Sequence, residues 1–328
     1  MEGKTTTTPK RLATLVGCNY AGTPHELRGC INDVIAMRDL LVSRFGFAAA
    51  DVAVLTDDAR GGGAGVQLPT GANIKRALAD MVARAAPGDV LFFHYSGHGT
   101  LVPPVTPEHR GRRKEDEAIV PCDFNLITDV DFRAVVDRVP RGASLTVVSD
   151  SCHSGGLIDN EKEQIGPSVG SCTPAESDAR TLRARFVPYG ALVEHLAGAS
   201  GGDASHHAAD HLVALFGADA SAKFHKHHKH HHHDIAPPAP RPDDDAGILL
   251  SGCQTDETSA DAFLRGKACG AFSNALQAAL AAHPAPMSNR EVVTMARKVL
   301  AEQGFEQHPC LYCSDANADK PFLCQQQA

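Results

Sequence analysis

An α/β fold, with a mostly parallel six-stranded sheet flanked by helices, is what this sequence predicts. Short apolar runs rich in β-branched and aromatic residues, each bounded by turn residues, read as buried parallel strands. They alternate with segments whose apolar residues recur at helical spacing, as βαβ units require. Two of the runs end abruptly in small residues around a reactive side chain: Val90-Leu-Phe-Phe-His-Tyr-Ser-Gly-His98-Gly99 and Leu145-Thr-Val-Val-Ser-Asp150-Ser-Cys152-His-Ser-Gly-Gly156. Ligands of open α/β sheets bind at the carboxyl ends of the strands, so His98 and Cys152 are expected to meet along one edge of the sheet.

Arg11 to Cys18 reads as the first strand, and Ile31 to Phe45 as a helix, with Val34, Met37, Leu40 and Leu41 on one face and Gly46 at its end. Val52 to Leu55 is the second strand, and a Gly-rich loop spans Arg60 to Gly65. Ile74, Leu78, Met81, Val82 and Ala85 mark a helix stopped by Pro87-Gly88. The His98 strand follows, then a polar, basic loop from Pro103 to Glu117, a short helix around Asp131 to Arg138, and the Cys152 strand. These four strands suit parallel pairing. From Gly166 to Asp245 the periodicity fades. Pro, Ser, Asp and His accumulate, with Lys223-Phe-His-Lys-His-His-Lys-His-His-His-His-Asp234 and Pro237 to Pro242, which reads as a mobile linker. Regular structure resumes with a strand over Gly247 to Cys253 and a helix over Ala271 to Ala282. A second helix, capped by Ser288 and Glu291, ends near Gly304, and a last strand lies around Pro309 to Ser314.

At 328 residues and 43% hydrophobic content the chain can bury a large core, and its net charge of -8 argues against phosphate-driven nucleic-acid binding. No apolar stretch is long enough to span a bilayer and the first residues lack a signal-peptide core, which points to a soluble protein of the cytoplasm or nucleus. The ten cysteines, scattered singly, read as reduced thiols.

Tyr95-Ser-Gly-His98-Gly and Asp150-Ser-Cys152-His-Ser-Gly-Gly resemble the His and Cys motifs of metacaspases, the caspase-like cysteine peptidases of plants, fungi and protists. Gly155 to Gly166, Asp116 to Asp129 and Gly247 to Asp261 resemble the plant type II enzymes. The short linker and His308 to Asp315 match the short-linker, calcium-independent branch best. The resemblance implies a caspase-like fold, a p20-like catalytic region over residues 1–166, a linker with an autoprocessing site over 167–245, and a p10-like region over 246–328. It also implies a monomer that acts on proteins without a cofactor.

The chemistry follows from the residue types. Cys152 is the expected nucleophile and His98 the base that takes its proton and returns it to the leaving amine. His153 is a rival base, one residue off, and the motif match favours His98. The N–H groups of Gly99 and Cys152 are the expected oxyanion hole, since glycine allows close approach of the backbone. A pocket for Arg or Lys needs acidic groups, and Asp33 and Asp150 are the candidates; matched metacaspase aspartates line the S1 pocket. For Asp33 the rival role is a helix N-terminal carboxylate. Cleavage is therefore expected after Arg or Lys, with Arg185 the preferred self-cleavage site in an accessible linker and Arg183 the second.

By resemblance, Cys30 is a possible secondary nucleophile, against the plainer role of a buried hydrophobe. Asp116, Asp129 and Asp159 match positions of the family's calcium site. There Val130 brings no oxygen, so no metal and calcium-independent activity are expected. Cys310 and Cys313 are a weak zinc signal. The His-rich run, a possible metal chelator, could also charge at acid pH, which fits an acidic optimum. The alternative function is a catalytically silent scaffold or His-rich metal-binding protein on the same fold.

Overall fold

The apolar runs become β1 (Arg11–Gly17), β2 (Val52–Thr56), β3 (Val90–Ser96), β7 (Ser144–Asp150) and β10 (Gly247–Ser251), which pair in parallel in the order β2-β1-β3-β7-β10. A computed structural model shows them and describes residues 9–58, 67–103, 116–158, 162–166, 180–204, 207–225, 247–254 and 257–323. The sixth expected strand, β13 (Cys310–Tyr312), adds antiparallel to β10. The sheet has seven strands, not six: β8 (Glu163–Ile165) adds antiparallel beyond β13. With three residues and no fully buried side chain, it carries no apolar signal for the sequence to show.

Side chains of the central strands alternate between two cores. Leu12, Leu91, Phe93, Leu145, Val147 and Leu249 face one; Leu15, Phe92, Val148 and Leu250 face the other. The second core is closed by α1 (Cys30–Arg44), α7 (Ala271–Ala282) and α8 (Asn289–Glu302), through Val34, Met37, Leu276 and Val293 among others. The Ser288–Glu291 capping box is present at the start of α8. The first core is closed by α2 (Gly71–Ala83) and α3 (Asp129–Val136), and by three helices from the stretch expected to be a mobile linker.

That expectation is corrected for the described part of the stretch. Residues 180–204 and 207–225 form β9 (Arg180–Ala184), α4 (Tyr189–Ser200), α5 (Ala208–Phe216) and α6 (Ala222–His225). Leu192, Leu196, Leu212 and Phe224 insert into the first core. Gly190, Gly198 and the many alanines hid this: helices apolar nearly all round show little periodic contrast.

Two small antiparallel sheets frame the carboxyl ends of the parallel strands. One is β4 (His98–Val102), β5 (Asp116–Val120) and β6 (Ile127–Thr128); the other is β12 (Lys267–Gly270), β11 (Ala260–Leu264) and β9. A last short helix, α9 (Asp315–Ala318), precedes the end of the described chain. No helix among the described residues is long and apolar enough to cross a membrane.

Candidate active site

β3 stops at Ser96, the chain bends at Gly97, and His98 opens β4; β7 stops at Asp150, two residues before Cys152. His98 and Cys152 thus stand beyond neighbouring parallel strands, paired in register from Val90↔Ser144 to Ser96↔Asp150. Both are buried, and the chain's own residues 185–187 run past them, hydrogen-bonded to Gly99 and Cys152.

Arg185 lies across the strand ends. Its carbonyl oxygen accepts hydrogen bonds from the N–H groups of Gly99 (3.0 Å) and Cys152 (3.2 Å), and its own N–H donates to Ser259 O (2.9 Å). A side chain on Gly99 would collide with the Cys152 carbonyl, so only glycine lets these two N–H groups converge. Upstream, β9 pairs with β11 as an added antiparallel strand. Downstream, Val187 is buried, its N–H donates to Gly99 O (3.0 Å), and its carbonyl accepts from Thr100 Oγ1 (2.8 Å). The Phe186 ring meets that of His153, with 4.8 Å between centroids.

The Arg185 guanidinium is 0% exposed and enclosed by three carboxylates. Nη2 pairs with Asp33 Oδ2 (2.9 Å) and Asp261 Oδ1 (3.2 Å), and Nη1 with Asp150 Oδ2 (3.3 Å). Nη1 also donates to Ser96 Oγ (2.7 Å) and Asp150 O (3.1 Å). The carboxylates are themselves held. Asp33 accepts from Gly270 N–H (2.9 Å) and Ser96 Oγ (2.7 Å), Asp150 from Ser259 Oγ (2.6 Å) and Ser273 N–H (2.7 Å), and Asp261 from the N–H groups of Arg28 and Gly29 (3.0 Å each). One cation cannot neutralise three buried anions. Burial lifts the Asp33 carboxyl to about 6, with Arg185 pulling it down and Asp150 pushing it up. Burial opposes the charge on Arg185, yet Asp150, Cys30, Asp33 and Asp261 together raise its pKa further.

The accessibility expected of Arg185 is therefore overturned: the residue is enclosed, whereas Arg183, two positions earlier, is exposed and donates to Pro24 O (2.7 Å). Arg183 lies within β9, whereas Arg185 follows the strand's last residue, Ala184, where the chain leaves the sheet edge and crosses the strand ends.

His98 Nε2 lies 2.7 Å from His25 O, which assigns the ring proton to Nε2 and leaves Nδ1, without a partner, as the basic nitrogen. Burial lowers the ring's pKa to about 3, so it is neutral while covered. Cys152 Sγ accepts from Ser259 N–H (3.0 Å). A hydrogen bond from the Cys253 thiol and the Ser259 N–H lower the Cys152 pKa against the opposing effect of burial. Cys30 is buried among Ser96, Asp33, Asp261 and Arg185; burial drives its thiol well above the ordinary range.

The sequence reading missed Asp261, Ser259 and Ser96. Asp261 and Ser259 lie on or beside β11, whose Ala-Asp-Ala-Phe-Leu has no β-branched residue to mark a strand, and its pairing with β9 sets them beside the segment that carries Arg185.

Asp116 and Asp129 do come together, but around an ammonium: Lys223 of α6 places Nζ 2.8 Å from Asp116 Oδ1 and 2.7 Å from Asp129 Oδ1. The adjacent Val130 has no side-chain oxygen, and Asp159 lies outside the described residues. These residues do not fit a calcium ion, which takes six to eight oxygens. Among the described residues no group of three or more His, Cys, Asp or Glu could hold a metal. His225 of the His-rich run ends α6; residues 226–233 lie outside the described set.

Comparison with known proteins fits this geometry. The caspase-domain family model matches residues 10–320. The chain is similar to Metacaspase-9 of Arabidopsis thaliana, 54% identical over 96% of this chain and 97% of that protein, and to Metacaspase-4 of the same plant, 38% identical over 95% and 99%. Among solved structures it is similar to protein GSU0716 from Geobacter sulfurreducens (TM-score 0.61, 20% identity, 97% of this chain and 99% of that one), a likeness of fold alone. With the match spanning almost every described residue, the chain belongs to the caspase-domain peptidases, in the metacaspase group, and is a cysteine peptidase of caspase-like fold.

Proposed function

We propose that the protein is an endopeptidase that cleaves after Arg or Lys, beginning with its own Arg185–Phe186 bond. One observation carries this reading: a single residue fills the three-carboxylate pocket with its side chain while its carbonyl oxygen sits between the N–H groups of Gly99 and Cys152. The bond falls within residues 167–245, the linker of the proposed division into a p20-like region over 1–166 and a p10-like region over 246–328.

In the mechanism, Cys152 Sγ attacks the Arg185 carbonyl carbon and its proton passes to His98 Nδ1. The oxygen that gains charge stays on the two N–H donors, each worth about 10²- to 10³-fold in rate. His98 returns the proton to the Phe186 amine, and water then frees Arg185 from the thioester. The His25 carbonyl keeps the ring in the tautomer this needs. Asp33, Asp150 and Asp261 select a cation, and the planar fork of arginine uses all three. A substrate in trans takes the place of β9 along β11 by strand addition. Arg183, whose guanidinium donates to Pro24 O outside the pocket, is the secondary site.

Calcium independence is supported by Lys223, whose ammonium takes the position between Asp116 and Asp129. Activity at acid pH is supported by His25, His94, His98 and His195, all held neutral by burial, so that protonation favours states that rehydrate them. We take the protein to act as a monomer in the cytoplasm or nucleus.

The test is hydrolysis of matched fluorogenic peptides ending in Arg, Lys or Asp by wild type and Cys152→Ala, with calcium or chelator, from pH 5 to 7.5. Cleavage after Arg and Lys, lost in the variant and indifferent to chelator, is the expected result. Cleavage only after Asp, or none in processed protein, overturns the proposal.

A further inference from the structure

Cys253 has no part in the mechanism above, yet it is placed against the nucleophile. Ser251, at the end of β10, is in register with Ser149 of β7, and Gly252 N–H donates to Ser149 O (2.8 Å), so the chains stay side by side beyond the sheet. Cys253 Sγ lies 3.8 Å from the carbonyl oxygen of Ser151, the residue before Cys152, and 3.6 Å from Glu257 O, which sets the two thiols beside each other. Carried past Ser251, that register sets Cys253 opposite Ser151 and so next to Cys152, where chains about 4.8 Å apart bring neighbouring Cα atoms near the separation that a disulfide spans, about 4.4–6.8 Å. Both cysteines are buried and neither is disulfide-bonded.

The two thiols differ in character. Contact with Cys253 favours the Cys152 thiolate, while the same contact holds the proton on Cys253. Where the remaining described cysteines show a shift, burial raises it, so Cys152 is the thiol made ready for an electrophile. A thiol favoured as thiolate beside one that keeps its proton is the arrangement of an attacking and a resolving cysteine.

We propose that Cys152 and Cys253 form a peroxide-responsive pair that closes into a reversible disulfide. In the first step Cys152 sulfur attacks hydrogen peroxide, the O–O bond breaks, and the departing oxygen leaves as water after taking a proton. Cys152 is then a sulfenic acid. In the second, Cys253 sulfur attacks the Cys152 sulfur, the S–O bond breaks, and the hydroxide leaves as a second water with the Cys253 proton. Two thiols are oxidised to one disulfide and one peroxide is reduced to two waters. The disulfide removes the nucleophile, a consequence that rests on the proposed role of Cys152; formation of the bond does not.

The experiment treats the full chain, self-processed and unprocessed, with hydrogen peroxide, alkylates the remaining thiols, and maps the digest by mass spectrometry. The expected product joins the peptides of Cys152 and Cys253 with the loss of two hydrogens, and it forms faster once the segment around Arg185 is cut. Dithiothreitol reverses it. In Cys253→Ala and Cys253→Ser, Cys152 passes instead to sulfinic and sulfonic acids at least about tenfold faster than in wild type, and the reductant does not recover it. Equal over-oxidation in wild type and both variants overturns the pair, as does pairing of Cys152 with another cysteine or an unoxidised Cys152 in processed protein. The wild-type map needs no variant to fold. A Cys152–Cys253 disulfide in a protein without peptidase activity would leave the pair standing and remove only the proposed mechanism.

Discussion

Two acidic clusters receive a basic side chain from the same stretch of chain, and they differ in every physical respect. Asp33, Asp150 and Asp261 are fully buried around the Arg185 fork, with hydrogen bonds to every carboxylate. Asp116 and Asp129 are partly exposed around the Lys223 ammonium, itself 19% exposed. Desolvation makes the first cluster expensive to leave empty and selective about what fills it. Solvent makes the second tolerant and weak. In the proposed reading the first cluster sets what the site accepts, while the second fastens α6 beside α3.

Cys152→Ala tests the first cluster most severely. It leaves the pocket whole and removes the thiol, so self-fragments vanish and peptide hydrolysis falls at least about 10⁴-fold, read by gel and fluorogenic assay. Fragments of unchanged size in that variant would show that the enclosed bond is cut by something else. Arg185→Gln, made in the Cys152→Ala background, strands three carboxylates in a dry pocket and is expected to destabilise the covered form by about 3–5 kcal/mol in urea unfolding. Arg185→Lys keeps the charge but loses the fork, so scission at this bond slows by about ten- to a hundredfold.

A pH titration separates the clusters further. His94 packs beneath the first, with Nε2 3.0 Å from Ser273 Oγ, and burial lowers its pKa to about 4. Below pH 6.5 the unfolded chain binds a proton that the folded one refuses until about pH 4, so this ring's stabilisation declines as pH falls through that window. His94→Gln, in the same inactive background, is expected to flatten the slope of stability against pH by about 1.4 kcal/mol per unit between those values. Coincident slopes would mean that the buried cluster is wetter than its geometry. The smallest effect is reserved for Lys223→Gln, expected to cost no more than about 1 kcal/mol in thermal unfolding. Calcium should not restore it, since Val130 still offers no ligand.

How much of this the sequence revealed depended on contrast. β1, β3, β7 and β10 are continuous apolar runs, and His98 and Cys152 are legible because each interrupts one of them with small residues. Asp33 and Asp150 could be named because a cationic pocket needs acids near a strand end. Asp261 could not, because its pocket position depends on pairing between residues 260–264 and 180–184, nearly eighty positions apart and without a local signature. The enclosure of Arg185 was hidden for the same reason: composition showed basic residues among small and polar ones, and only tertiary packing carries the chain past β9 and across the strand ends, where Arg185 is covered. Lys223 sat at the head of a histidine run that drew attention away from it.

The pairing of β9 with β11 has a colloidal consequence. Strand β11 carries β12 on one side and β9 on the other, and its Phe263 is 43% exposed. Departure of β9 would bare a row of backbone donors and acceptors beside an apolar ring, the kind of strand edge that recruits a second molecule of the same chain. Under the proposed processing, a cut molecule that released β9 would trade a shielded sheet for a sticky one, so the working lifetime of the cut form should shorten as its concentration rises, even where no inhibitor is present.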